Sequence, residues 1–131
     1  MGVYVQESIS HIPLVFSGIW AKSHEIEVTV CEHNSIVFLS IPPFLFPETQ
    51  SDFLVATLPG NLVPLVDQSF IRDATDDDGI ILADVNVSAE TGVITISTLN
   101  GGAQPGNEFS GVGNGGLNGM TISYQIKRIP N

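Results

Sequence analysis

Gly119-Met120-Thr121-Ile122-Ser123-Tyr124-Gln125-Ile126-Lys127 is the stretch on which the reading of this chain turns. Its apolar residues, Met120, Ile122, Tyr124 and Ile126, alternate with Thr121, Ser123, Gln125 and Lys127. Side chains of a strand point to opposite faces in turn, so this spacing predicts a strand with one apolar and one polar face. The same period recurs outward through the chain, at Glu25 to Cys31, Ser35 to Ile41, Asp52 to Leu58, Gly79 to Ser88 and Val93 to Thr98. In the Gly79 to Ser88 run the apolar set is Ile81, Ala83, Val85 and Val87, and the turn Glu90-Thr91-Gly92 joins it to Val93 to Thr98 as a hairpin. No capped amphipathic helix is visible. The expectation is an all-β, antiparallel two-sheet sandwich or jelly roll of seven to ten strands, and not a barrel around a ligand cavity.

At 131 residues the chain has room for one core. Residues 1–12 read as an extended lead-in segment and 13–131 as a single β-sandwich domain. Pro42-Pro43 is expected to end the third strand, with Phe44-Leu45-Phe46-Pro47 as an apolar loop after it. Leu62 to Ile71, broken by Pro64, reads as another loop; Asp73 to Asp78 and the glycine-rich Asn100 to Asn118 are expected on the outer surface. Ser35 to Ile41 is apolar at consecutive positions, which requires cover on both faces of that strand. A small sandwich covers one, so the other cover is a neighbouring protomer or a loop folded over the sheet.

The chain is 43% hydrophobic and 14% charged, with a net charge of −10 from 14 acidic and 4 basic residues. Binding to phosphate backbones or anionic lipid needs clustered Lys and Arg, so no nucleic acid partner and no membrane insertion are expected. The composition is too apolar for disorder, and the surplus suggests area shared with another subunit. A single cysteine, Cys31, excludes an internal disulfide and reads as a strand residue. The three histidines, His11, His24 and His33, come without a nucleophile elbow or a helical His pair, so the chain reads as not an enzyme.

Several patterns carry a chemical reading beside a plainer one. Clustered carboxylates suit a hard cation, so calcium at Asp76 and Asp78 is the chemical reading, but the EF-hand spacing is not met and solvated turn carboxylates are the preferred explanation of the stretch. No other cofactor or metal is expected. Gly111, Gly113 and Gly116 match a dinucleotide fingerprint in spacing only, since a strand follows them and not a helix. Asn86-Val87-Ser88 is a glycosylation sequon with no secretory context. Trp20, Phe44, Phe46 and Phe109 lie near loops and could stack on a sugar ring, or plug a core or subunit contact.

Five features, taken in order, carry a resemblance. They are Phe16-Ser17-Gly18-Ile19-Trp20, Val37-Phe38-Leu39-Ser40-Ile41-Pro42, the turn Leu58-Pro59-Gly60-Asn61-Leu62-Val63-Pro64, the hairpin Val85 to Ile96 and the closing Met120 to Ile126. This arrangement resembles the trimeric jelly-roll heads of the tumour-necrosis-factor and complement type, including those at the tips of phage and giant-virus fibres and of bacterial collagen-like surface proteins. Tyr124-Gln125-Ile126 stands where complement-type heads commonly end in aromatic-glycine-leucine. The resemblance implies a homotrimer with apolar strands about a threefold axis, whose loops touch a host-surface protein or glycan, at a virion surface or an extracellular or cell surface.

The expected function is therefore a non-enzymatic head for receptor or glycan recognition. The alternatives are a structural minor capsid or scaffold protein and a monomeric carbohydrate-binding module. Trp20, Phe38, Tyr124 and Ile126 are expected in the core or the trimer interface. Asp73, Asp76, Asp77, Asp78, Asn107, Phe109 and Asn114 are expected on ligand-facing loops.

Overall fold

A computed structural model describes residues 7–18, 23–46, 53–99, 109–110 and 113–127. Its strands are β1 (Glu7–Phe16), β2 (His24–His33), β3 (Ile36–Phe46), β4 (Leu54–Thr57), β5 (Gln68–Asp76), β6 (Gly79–Val87), β7 (Val93–Thr98) and β8 (Gly115–Gln125), with one 3-10 turn at Gly60–Leu62. All pair antiparallel in a single sheet of order β1-β2-β3-β8-β5-β6-β7-β4. In β5 to β8 the fourth strand returns beside the first, which is a Greek key.

The two separate sheets expected of a sandwich are thus joined. They survive as two four-stranded halves, β1-β2-β3-β8 and β5-β6-β7-β4, rolled until the free edges nearly meet. At one seam Ser17 and Val55 exchange both backbone hydrogen bonds, at 3.0 and 2.9 Å, and so tie the end of β1 to β4. At the other, β5 and β8 pair only at Ala74↔Leu117 and Thr75↔Gly116, and the ladder resumes past a gap where Leu65 N–H donates to the Gln125 carbonyl at 2.8 Å. Side chains bridge this seam too. Arg72 Nε donates to the Thr121 carbonyl at 3.2 Å, and Thr75 Oγ1 donates to Asn118 Oδ1 at 2.6 Å.

The interior is filled, not hollow. Leu14 and Phe16 of β1, Val28 and Val30 of β2, Val37, Leu39 and Ile41 of β3, and Met120, Ile122, Tyr124 and Ile126 meet Leu54, Ala56, Ala83, Val85, Val87, Ile94 and Ile96 from the other half. The alternation read in Met120 to Ile126 holds: those four are buried, and Thr121, Ser123, Gln125 and Lys127 are exposed. The inward set of Gly79 to Ser88 also holds, with Ala83, Val85 and Val87 buried and Ile81 packed against the core.

Other expectations differ. Residues 7–12 of the lead-in segment are extended but belong to β1, paired with β2 along its whole length. Pro42-Pro43 does not end β3, which continues through Phe44 to Phe46 because the prolines point outward at a bend. There the inward set slips by one residue, from Ile41 to Phe44, and β8 opposite slips from Leu117 to Met120. Gly116 lies in this stretch at φ +150°, and a Cβ there would run into the Phe44 carbonyl oxygen, so only glycine lets the two backbones approach. The loop expected over Leu62 to Ile71 contains the start of β5, and Asp73 to Asp76 are strand residues of it. Phe70, Arg72 and Ala74 alternate there with exposed Ser69, Ile71 and Asp73, but Pro64 and the acidic run obscure the period.

Tyr124 closes the bottom of the core: its hydroxyl donates to the Leu62 carbonyl at 2.8 Å, and burial pushes the phenol pKa upward. Above about pH 10 the unfolded chain gives up this proton while the folded chain retains it, so folding stability falls as pH rises further. Urea titrations between about pH 8 and pH 12 should show a decline that Tyr124→Phe lessens, the variant itself costing about 1 kcal/mol at the lower end of that range. Phe16→Ala, which empties a fully buried site, should cost about 3–5 kcal/mol in the same assay.

Candidate functional site

The acidic stretch and the glycine-rich loop, expected as separate ligand-facing loops, are fastened to each other. Asp76, at the end of β5, is only 4% exposed, and its carboxylate accepts the Ser110 backbone N–H at 3.0 and 3.1 Å and the Ser110 hydroxyl at 2.8 Å. Asp78 Oδ1 accepts the Asn114 backbone N–H at 3.0 Å and its side-chain amide at 2.6 Å. Burying a carboxylate is costly unless it is hydrogen-bonded, and these donors satisfy that need. Asp76 is therefore not on an outer loop; it pins Ser110 to the end of β5, as Asp78 pins Asn114 to the β5–β6 turn. Among the described residues no group of three or more His, Cys, Asp or Glu is placed to hold a metal ion. Asp73, Asp77 and Asp78 are exposed, and Asn114 is half-buried.

Phe109 is a correction. Expected on a ligand-facing loop, it is fully buried and belongs to the core, next in sequence to the Ser110 that Asp76 holds. Phe44 is half-buried, its ring 5.6 Å from that of Phe16, so neither Phe44 nor Phe109 is displayed for sugar stacking. Asn107 and Trp20 lie outside the described residues. Tyr124 and Ile126 are in the core, whereas Phe38 is 42% exposed.

Phe38 sits on the outer face of the β1-β2-β3-β8 half. Register aligns Ile9, Cys31, Phe38 and Ser123 in one row across four strands, with Ile36 next to Phe38 on the same face. Ile9 is 64% exposed and Ile36 is exposed as well. Among the described residues nothing supplies the outer cover that Ser35 to Ile41 demands. The neighbouring row, His11, Thr29, Ser40 and Thr121, floors a shallow groove of about 650 Å³. Its side chains pair among themselves, Thr29 Oγ1 with His11 Nδ1 at 3.2 Å and Ser40 Oγ with Thr121 Oγ1 at 2.9 Å. Glu27 lies 4.0 Å from His11, and both are well exposed, so the pair is weakly coupled.

A second apolar cluster lies on the outer face of the other half. Ile71, Ile80 and Leu82 are all exposed, Ile80 by 76%. Leu82 faces Asp73 across the ladder, which makes it a diagonal neighbour of Ile71. The consecutive apolar run Ile80-Ile81-Leu82 is the sequence signal for this cluster, as Ile36-Val37-Phe38-Leu39 is for the first.

No protein-family model matches the chain, and no curated protein matches it in sequence. Among solved structures it is similar to the attachment protein sigma1 of a reovirus, in a structure described as a complex with alpha-2,3-sialyllactose. The TM-score is 0.54 at 12% identity over 93% of this chain, and the chain spans 66% of that protein's chain. The likeness is one of fold, an all-β arrangement shared with a viral attachment protein.

Asp76→Ala should remove the carboxylate that accepts from the Ser110 N–H and hydroxyl and cost about 1–3 kcal/mol in urea unfolding. Asp76→Asn, which retains an acceptor oxygen, should cost less, and amide spectra should centre the change in both variants on Ser110 and its neighbours.

Proposed function

We propose that this chain is a non-enzymatic, homotrimeric head domain that recognises a host-surface protein or glycan, displayed at a virion surface or an extracellular or cell surface. The observation that carries the reading is a pair of apolar clusters that no described residue covers, Ile9, Ile36 and Phe38 on one half and Ile71, Ile80 and Leu82 on the other. A ring with threefold symmetry is closed by heterologous contacts, in which one patch of each subunit meets a different patch of the next. Two apolar clusters on opposite halves of one protomer suit that geometry. Burial of such area gains roughly 25 cal/mol per Å².

The recognition half of the proposal is supported by the fold shared with a reovirus attachment protein whose structure was described with a bound sialylated sugar. The jelly-roll head resemblance points the same way. The interior of the barrel is packed with side chains, which leaves the outer faces and loops to meet a partner.

Size-exclusion chromatography with light scattering should give a mass three times the 14.0 kDa of one chain. Phe38→Glu and Ile80→Lys, each on a different cluster, should both give monomers with unchanged circular dichroism. A wild-type monomer in dilute solution sinks the trimer, and an open-ended polymer favours the structural scaffold instead.

A further inference from the structure

A groove unconnected with either apolar cluster opens where β5 begins, β6 ends and β7 begins. It has a volume of about 450 Å³, within the roughly 300–1,000 Å³ range of small-molecule sites. Asp67, Gln68, Asn86, Ser88, Thr91 and Thr95 line it, with Val93 as an apolar wall. In sequence Asn86 and Ser88 read as strand residues within a sequon, Asp67 and Gln68 as loop, Thr91 as turn, and Val93 and Thr95 as strand. Asn86 and Thr95 face each other across the β6–β7 ladder, between buried Val85, Val87, Ile94 and Ile96, so amide and hydroxyl both stand on the outer face.

The rim is held in shape by local hydrogen bonds. Asp67 Oδ1 accepts the Ala89 N–H at 2.8 Å, Ser88 Oγ accepts the N–H groups of Glu90 and Thr91 at 3.2 Å, and Gln68 Nε2 donates to the Val66 carbonyl at 3.0 Å. Preorganised rims of this kind reduce the ordering cost of binding. Among the described residues the lining offers amides, hydroxyls and one carboxylate, but no Lys, Arg or His. Lys127, which reaches the hairpin turn, donates its ammonium to the Ala89 carbonyl at 2.8 Å. A ligand carboxylate would meet Asp67 in a chain of net charge −10, without a cation in the lining to offset it.

We propose that this groove binds a neutral, hydroxyl-rich sugar through the Asn86 amide, the Thr95 hydroxyl and the Asp67 carboxylate. Amides and hydroxyls both donate to and accept from vicinal sugar hydroxyls, a carboxylate accepts from them, and Val93 offers an apolar contact to a pyranose C–H face. The inference rests on the recognition reading above and makes the ligand class definite: neutral, in contrast to the sialylated sugar of the reovirus protein.

The test is titration of the full ¹⁵N-labelled chain with lactose and N-acetyllactosamine, and separately with alpha-2,3-sialyllactose. A neutral sugar should shift amides at 67–68, 86–88 and 91–95, and the double variant Asn86→Ala, Thr95→Val should weaken that binding about tenfold or more. If the variant misfolds, the wild-type shift map alone decides. Shifts centred elsewhere, no shift with either neutral sugar, or tighter binding of sialyllactose at these amides would each overturn the proposal. Cell adhesion by the wild-type chain is scored separately. Groove binding without adhesion supports the groove and removes the head reading, whereas adhesion without a neutral-sugar shift at these amides overturns the groove and leaves the head reading standing.

Discussion

A sheet has two edges, and each edge is a row of backbone donors and acceptors that must find partners. In this protein that requirement organises everything else. The Ser17–Val55 bridge at one seam and the short β5–β8 ladder at the other bring eight strands most of the way round on themselves. Where the β5–β8 ladder lapses, Arg72 and Thr75 reach across to Thr121 and Asn118. Closure also dictates the bend at Pro42-Pro43 and Asn118-Gly119, where both strands shift their inward set together as the sheet turns its corner.

Closure around a filled core settles where function can be. Phe16, Phe109, Leu39, Ile96 and Ile122 are fully buried and leave the inside to hydrocarbon. In the proposed head, recognition therefore falls to the outer faces. These are of two kinds: apolar clusters that water contacts at a cost, and polar concavities that it contacts readily. The first kind suits another protein surface, and in the proposed trimer another copy of the chain. The second suits a small polar ligand.

The acidic residues divide along the same line. Asp76 and Asp78 stabilise the fold by gripping residues that lead into β8, while Asp67 shapes the turn beside the β6–β7 hairpin. Acidity that looks like a bulk property of the surface is thus partly local carpentry, with carboxylates used as acceptors for backbone N–H groups that lack strand partners.

Period two alone established the all-β class, the inward faces of β6 and β8, and the β6–β7 hairpin, because side-chain alternation is a local consequence of strand geometry. The consecutive apolar residues of β3 raised the expectation of cover on both of its faces. What period two could not supply was the order of the strands across the sheet, since pairing between β3 and β8 or β5 and β8 is decided by residues far apart in the chain. For that reason Phe109 passed for a loop aromatic and the acidic run for a loop. Their places exist only once the fold has brought Ser110 to Asp76.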